Sequence, residues 1–278
     1  MKIKQDWHIH TEYSCDSACL NMDDLIVEAE SLGIEEFGVT DHLHTIVNRP
    51  DMINSRKHYD AIIAKNPALK EKFHFGIEIS CVSEWELDLI HKGEHQDAVY
   101  GLRNGGPANA KPALDLECVK DLGIAFVNAG VHWPLYCEIE KDALINDYHR
   151  QYMFLAQHKD VDILAHYLWW HTRQDIDNPF ANFGNIPASM KQELAFALKE
   201  NNCAFELNIC AIILAGLSEK FVSDYLEYAC GLQSMGVKLA IGGDCHSKHY
   251  TDIDYARASK ILEAAGIDFE KNIFRFSK

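Results

Sequence analysis

Glu36-Phe37-Gly38-Val39-Thr40-Asp41-His42 decides the fold. Its first five residues suit a strand, and the strand runs without a linker into a carboxylate and an imidazole. Upstream, Asn21 is placed to cap a helix, with Asp23 and Asp24 in its first turn. Leu25, Ile26, Ala29 and Leu32 then give that helix one apolar face, closed by Gly33. Before it lies Asp6-Trp7-His8-Ile9-His10. Alternate residues of a strand share a face, so His8 and His10 project together. The unit is therefore strand, helix, strand, with metal-capable side chains where the strands end.

Working outward, residues 51–65 read as a helix and Phe73-His74-Phe75-Gly76-Ile77-Glu78-Ile79 as a strand. Residues 83–112, charged and then rich in Gly and Pro, interrupt the alternation as an inserted loop or excursion carrying Trp85, His91, His95 and Arg103. A helix over 113–122 is followed by strand 124–131 ending at His132, helix 139–158, and strand 161–165 ending at His166. Helix 188–201, opened by Pro187, precedes strand 204–208; helix 218–235 precedes strand 237–243, which runs into Asp244-Cys245-His246; a last helix covers 253–265. Alternating strands and helices imply parallel strands joined by right-handed crossovers. Polar residues at the end of strand after strand favour a closed mouth over an open doubly wound sheet, and no dinucleotide glycine fingerprint is present. The expected fold is α/β, a distorted TIM-like barrel of seven parallel strands, (βα)7, with residues 1–278 as one domain.

Composition bounds the function. The 278 residues are 47% hydrophobic and 24% charged, which suits a packed globular chain. No apolar run is long enough to span a bilayer, and Met1-Lys2-Ile3-Lys4-Gln5-Asp6 is not followed by the apolar segment of a secretory signal, so a cytoplasmic location without membrane contact is expected. Nine cysteines without a C-x-x-C pair resemble neither a disulfide framework nor a zinc ribbon. A net charge of −16 argues against extended nucleic-acid binding, while leaving room for a small anionic substrate at a local cation. Nothing in the sequence specifies an oligomeric state. Fifteen histidines are an excess that asks for a chemical reason.

That reason lies at the strand ends: His8, His10, Asp16, His42, Glu78, His132, His166, Asp244 and His246. Singly, each histidine reads as a hydrogen-bonded loop residue. Glu78 and Asp244 are harder to dismiss, because a carboxylate in or after an apolar strand is costly without a partner. Together the nine occupy one expected rim. Asp244 and His246 share a strand face as His8 and His10 do, so Cys245 should point away.

His8-Ile9-His10-Thr11-Glu12-Tyr13-Ser14-Cys15-Asp16, Thr40-Asp41-His42, Gly76-Ile77-Glu78, Val131-His132, Asp162-Ile163-Leu164-Ala165-His166 and Gly243-Asp244-Cys245-His246 resemble, in order, the motifs of the PHP (polymerase and histidinol phosphatase) family, and the size resembles its stand-alone histidinol-phosphatase-like members. The resemblance implies a distorted seven-stranded barrel with three divalent metal ions: one held by His8, His10, Glu78 and Asp244, a second by the bridging Glu78 with His132 and His166, and a third by Asp16, His42 and His246. Imidazole and carboxylate donors without thiolate suit Zn, Mn or Fe. The expected activity is hydrolysis of a small phosphomonoester by in-line attack of a metal-bound hydroxide, with Asp244 orienting the nucleophile and His246 a candidate acid for the leaving alcohol. A phosphodiesterase or nuclease, or an amidohydrolase-like amide or lactone hydrolase, is the alternative. The loop after His166 offers Trp169, Trp170, His171 and Arg173 to a substrate; His44, Arg49, Lys248 and His249 also follow ligand-bearing segments, and Asp41 is a candidate partner for the His42 ring.

Overall fold

The computed structural model describes residues 2–170 and 177–276. Its parallel strands are β1 (Gln5–Asp6), β2 (Glu36–Val39), β3 (His42–Leu43), β4 (Phe73–Phe75), β5 (Ile77–Ser80), then, after a short antiparallel pair β6 (Val82–Ser83) and β7 (Pro112–Ala113), β8 (Val127–Gly130), β9 (Ile163–Leu164), β10 (Ala204–Asn208) and β11 (Leu239–Gly242). The α-helices are α1 (Met22–Leu32), α2 (Arg49–Lys65), α3 (Glu84–His91), α4 (Lys141–Gln157), α5 (Ala188–Glu200), α6 (Glu219–Met235) and α7 (Tyr255–Ala265). Asn21 caps α1 by accepting from the N–H groups of Asp23 and Asp24, and Gly33 ends it in the left-handed conformation at φ 71°, as the sequence predicts.

The parallel strands do not run as the one continuous seven-stranded ladder expected from the sequence. Among the described residues the parallel strands fall into a three-stranded sheet, β1-β2-β4, and a six-stranded sheet, β11-β10-β9-β8-β5-β3. The cause is local. At Thr40 and Asp41 the side chains take bonds that a continuous ladder would use: Thr40 Oγ1 accepts from Ile9 N at 3.0 Å and Asp41 Oδ1 from Thr11 N at 2.6 Å, which separates β2 from β3. Gly76, between β4 and β5, still donates its N–H to Val39 O at 2.9 Å. The two sheets share these two broken segments, since β2 pairs with β4 and β3 with β5. Beyond β1 the chain also bonds to the segment around β11, Trp7 N donating to Ile241 O at 2.8 Å and Asp244 N to His8 O at 2.7 Å.

Two further expectations change. Residues 116–122 form 3-10 turns rather than a helix over 113–122. The excursion at 83–112 is not all loop: α3 opens it, capped by Ser83 Oγ accepting from Glu86 N, and β6 with β7 clamps its neck. The Ser83-x-x-Glu86 spacing is a helix-start signal that the Gly- and Pro-rich second half obscures.

Trp7, Phe126, Ile163, Ala204, Ala240 and Phe274 fill the space at the N-terminal ends of the strands. Phe274 is held there by its N–H donating to Leu239 O at 2.8 Å. With that end packed with apolar side chains, the polar strand ends are left to gather at the other. Among the described residues, no helix is long and apolar enough to cross a membrane.

Candidate metal centre

Each strand end delivers its side chain for a local reason. Ile9 is buried in the core and bridges in parallel to Cys245, which turns His8 and His10 to the opposite face. His42 opens β3 in register with Glu78 of β5. His132 and His166 follow β8 and β9. His166 and Asp244 adopt positive φ, 28° and 57°, unusual outside glycine and typical of functional positions that surrounding bonds hold in place.

The side chains converge on Glu78, which is 1% exposed. Its Oε2 lies 3.2 Å from His8 Nε2, 3.3 Å from His10 Nε2 and 3.0 Å from His42 Nδ1; its Oε1 lies 2.7 Å from His166 Nε2 and 3.2 Å from His132 Nε2. Asp244 Oδ1 is 3.4 Å from both His10 Nε2 and His246 Nδ1 and 3.7 Å from His8 Nε2. Asp16 Oδ2 joins His42 Nε2 at 3.2 Å to His246 Nε2 at 2.5 Å. All nine rim residues named from the sequence are thus brought together. Among the described residues, three groups have donor atoms close enough for one ion: His8, His10 and Glu78; His42, Glu78 and His132; His10, His42 and His246. The first is part of the set the resemblance implies, and the other two distribute His10, His42 and His132 differently.

The donor set fits divalent ions. Among the described residues, Glu78 Oε2, Asp16 Oδ1 and His42 Nδ1 are buried and make no well-aligned hydrogen bond even where they approach one another, a costly arrangement that bound cations would relieve. Burial pushes the Glu78 carboxyl up, but the surrounding His42, His8 and His132 outweigh it and hold it well below the usual carboxylate range. Burial likewise opposes the charged form of His42, yet Glu78 and Asp16 raise it to about 10, whereas burial lowers His132 to about 4. Cys245 lies away from the centre as expected, its Sγ against the carbonyl oxygens of Ser247 and His249.

One consequence is measurable. His42 holds a proton at neutral pH, and an ion bound to its ring must displace it, so affinity rises with pH and falls as pH drops below about 10. Isothermal titration in buffers of different ionisation enthalpy should show proton release on loading, with affinity falling about tenfold per pH unit for each proton displaced.

Glu206, 1% exposed in β10, belongs to this cluster although its sequence context did not single it out. Its Oε1 meets His8 Nδ1 at 2.6 Å; its Oε2 accepts from the His166 backbone N–H and from Asn208 Nδ2, and Asn208 Nδ2 also donates to Asp244 Oδ2 at 3.0 Å. One carboxylate therefore positions three of the nine, and a His8 ring that donates from Nδ1 presents Nε2 as a ligand. Two glycines make room for the cluster: a Cβ on Gly242 would lie 1.8 Å from Glu206 Oε1, and one on Gly130 would lie 2.6 Å from the His166 ring. The signal was available, because Glu206 interrupts an apolar strand as Glu78 does.

The remaining candidates separate. Trp169 packs its ring near His132 and His166, at 5.7 and 5.4 Å, while Trp170 is buried against Tyr148 and Phe180. His171 and Arg173 lie outside the described residues. Lys248 is exposed, and His249 turns to Glu28 at 3.1 Å. Arg49 forks onto Asp121 at 2.7 and 2.8 Å and is withdrawn from substrate binding. Asp41 accepts from Thr11 and Ser55 rather than from the His42 ring. His44 is buried beside His42, and its Nδ1 lies 2.6 Å from Ser80 Oγ.

Imidazole and carboxylate donors gathered at the carboxyl ends of parallel strands define the class: an α/β protein with a candidate polynuclear metal centre. The PHP domain model matches residues 6–246, and the chain belongs to that family. Comparison with curated protein sequences finds no match. Among solved structures, histidinol phosphate phosphatase (HISK) from Lactococcus lactis subsp. lactis Il1403, complexed with Zn, L-histidinol and phosphate, is similar at TM-score 0.60 and 18% identity, over 95% of this chain and 94% of that one. The putative histidinol phosphatase hisK from Listeria monocytogenes is similar at TM-score 0.62 and 10% identity, over 92% and 99%. At these identities the likeness establishes the shared fold.

Proposed function

We propose that this protein is a metal-dependent phosphoesterase that hydrolyses a small phosphomonoester at a centre of three divalent ions. The observation that carries this reading is the convergence of five imidazoles on the two oxygens of Glu78, with Asp16, Asp244 and His246 completing the rim. In this reading residues 1–278 act as one PHP-type unit, and the two sheets act as one distorted seven-stranded barrel. Its closure is supported by the bonds that residues 7–10 make to Thr40 on one side and to residues 241–245 on the other. Nine free cysteines suit a reducing, cytoplasmic setting.

Divalent ions in such a site supply Lewis acidity and an activated water nucleophile. The chain's own residues supply the rest. Glu206 fixes the His8 ring, and Ser80 Oγ, 2.8 Å from His132 Nδ1, fixes that of His132. Asn208 holds Asp244 Oδ2, leaving Oδ1 to face His10 and His246, where it can orient the nucleophile and accept its proton. His246, with its side chain 42% exposed, is the member of the cluster most open to solvent and is placed to pass a proton to the leaving alcohol.

The Lactococcus complex with Zn, L-histidinol and phosphate makes histidinol phosphate the first phosphomonoester to try. A panel of phosphomonoesters, phosphodiesters and lactones assayed with Zn, Mn and Fe should show turnover of monoesters. Hydrolysis confined to diesters, or to amides and lactones, would replace this reading with a nuclease-like or amidohydrolase-like one.

A further inference from the structure

We infer that His44, Trp133 and Arg103 form a donor-lined wall beside the metal centre that binds a phosphoryl oxygen of the substrate; the substrate class rests on the phosphoesterase reading above. His44 and Trp133 are 2% and 5% exposed, their rings are 5.2 Å apart, and His44 Nε2 and Trp133 Nε1 have no hydrogen-bond partner among the described residues. Two buried polar atoms left unpaired on adjacent rings point to a group that arrives from outside.

The position of the His44 proton follows from its other nitrogen. A His132 that coordinates through Nε2 carries its proton on Nδ1 and donates to Ser80 Oγ, 2.8 Å away. The Ser80 hydroxyl then donates to His44 Nδ1 at 2.6 Å, so the His44 proton sits on Nε2. The indole N–H of Trp133 is also a donor, so both unpaired atoms seek an acceptor. Arg103 adds positive charge: its guanidinium stacks 4.6 Å from the Trp133 ring and 5.1 Å from that of Tyr100. The excursion brings it there through two tethers, Tyr100 Oη donating to Cys15 O at 2.9 Å, next to Asp16, and Asn48 Nδ2 donating to Val99 O at 3.0 Å. An oxyanion is the ligand that two neutral donors and a guanidinium recognise together. The wall adjoins the metal centre, the His44 ring lying 5.1 Å from that of His42 and the Trp133 ring 5.6 Å from that of His132.

The test uses metal-loaded protein with inorganic phosphate as the calorimetric probe, and with a phosphomonoester in steady-state kinetics. Arg103→Ala and Trp133→Phe, the second removing the N–H while keeping an aromatic ring, should each weaken phosphate binding about five- to tenfold and raise KM more than they lower kcat, with metal content unchanged. Phosphate affinities within twofold of wild type, a wild-type protein that does not bind phosphate, or loss of metal from Arg103→Ala would each overturn the inference. A wild-type protein that binds phosphate through Arg103 and Trp133 yet hydrolyses no monoester would leave the wall standing and remove the phosphatase reading.

Discussion

Glu78→Ala is expected to remove at least two ions per chain and to lower phosphomonoester turnover by about 10³-fold or more. Five imidazole nitrogens lie within 3.3 Å of the two Glu78 oxygens, so its loss takes the shared anion from the centre rather than one ligand from one ion. The magnitude follows from losing several kcal/mol of Lewis-acid stabilisation, with each ~1.4 kcal/mol worth a factor of ten in rate. Metal analysis of the purified variant beside its initial rates checks this. A variant that keeps its ions and a near wild-type rate would show that Glu78 is a buried partner of histidines and not the bridge.

The second large effect is expected at a residue that touches no proposed ion. Glu206→Gln conserves volume but replaces a double acceptor with one acceptor and one donor. Its amide must then face the His8 Nδ1–H on one side or the His166 N–H and Asn208 Nδ2 on the other, all of which seek an acceptor. Outer carboxylates of this kind are worth roughly 10–100-fold in metal affinity or activity, and that is the expected loss here. Competition against a chelating dye separates the two roles open to Glu206: a purely structural one would lower thermal stability and leave metal affinity alone.

Most of the rim was legible in the sequence because its residues break an apolar pattern at a predictable place, whereas Asp16, in a polar stretch, is placed by the motif it shares with His8 and His10. His8, His10, Asp244 and His246 declare themselves by two-residue spacing, and Glu78 by its position inside an apolar strand. The same pattern was present at Glu206, but a residue inside a strand shows its role only when the neighbouring strand is known, here the one that delivers His8. The break in the sheet was not legible. Thr40 and Asp41 suit a strand by sequence, and only the arrival of Ile9 and Thr11 beside them diverts their bonds. Arg49 shows the converse, a cation near a ligand-bearing segment whose partner, Asp121, lies 72 residues away and could not be foreseen. Within the excursion expected at 83–112, helix α3 was hidden by the glycines and prolines behind it.

The most direct test of the central claim is the metal content of the purified protein measured together with its hydrolysis of phosphomonoesters as ions are removed and restored. Two to three Zn, Mn or Fe ions per chain are expected, with activity that disappears on chelation and recovers as ions are reloaded. Fewer than two ions per chain in a fully active protein, or full activity after their removal, would contradict the claim.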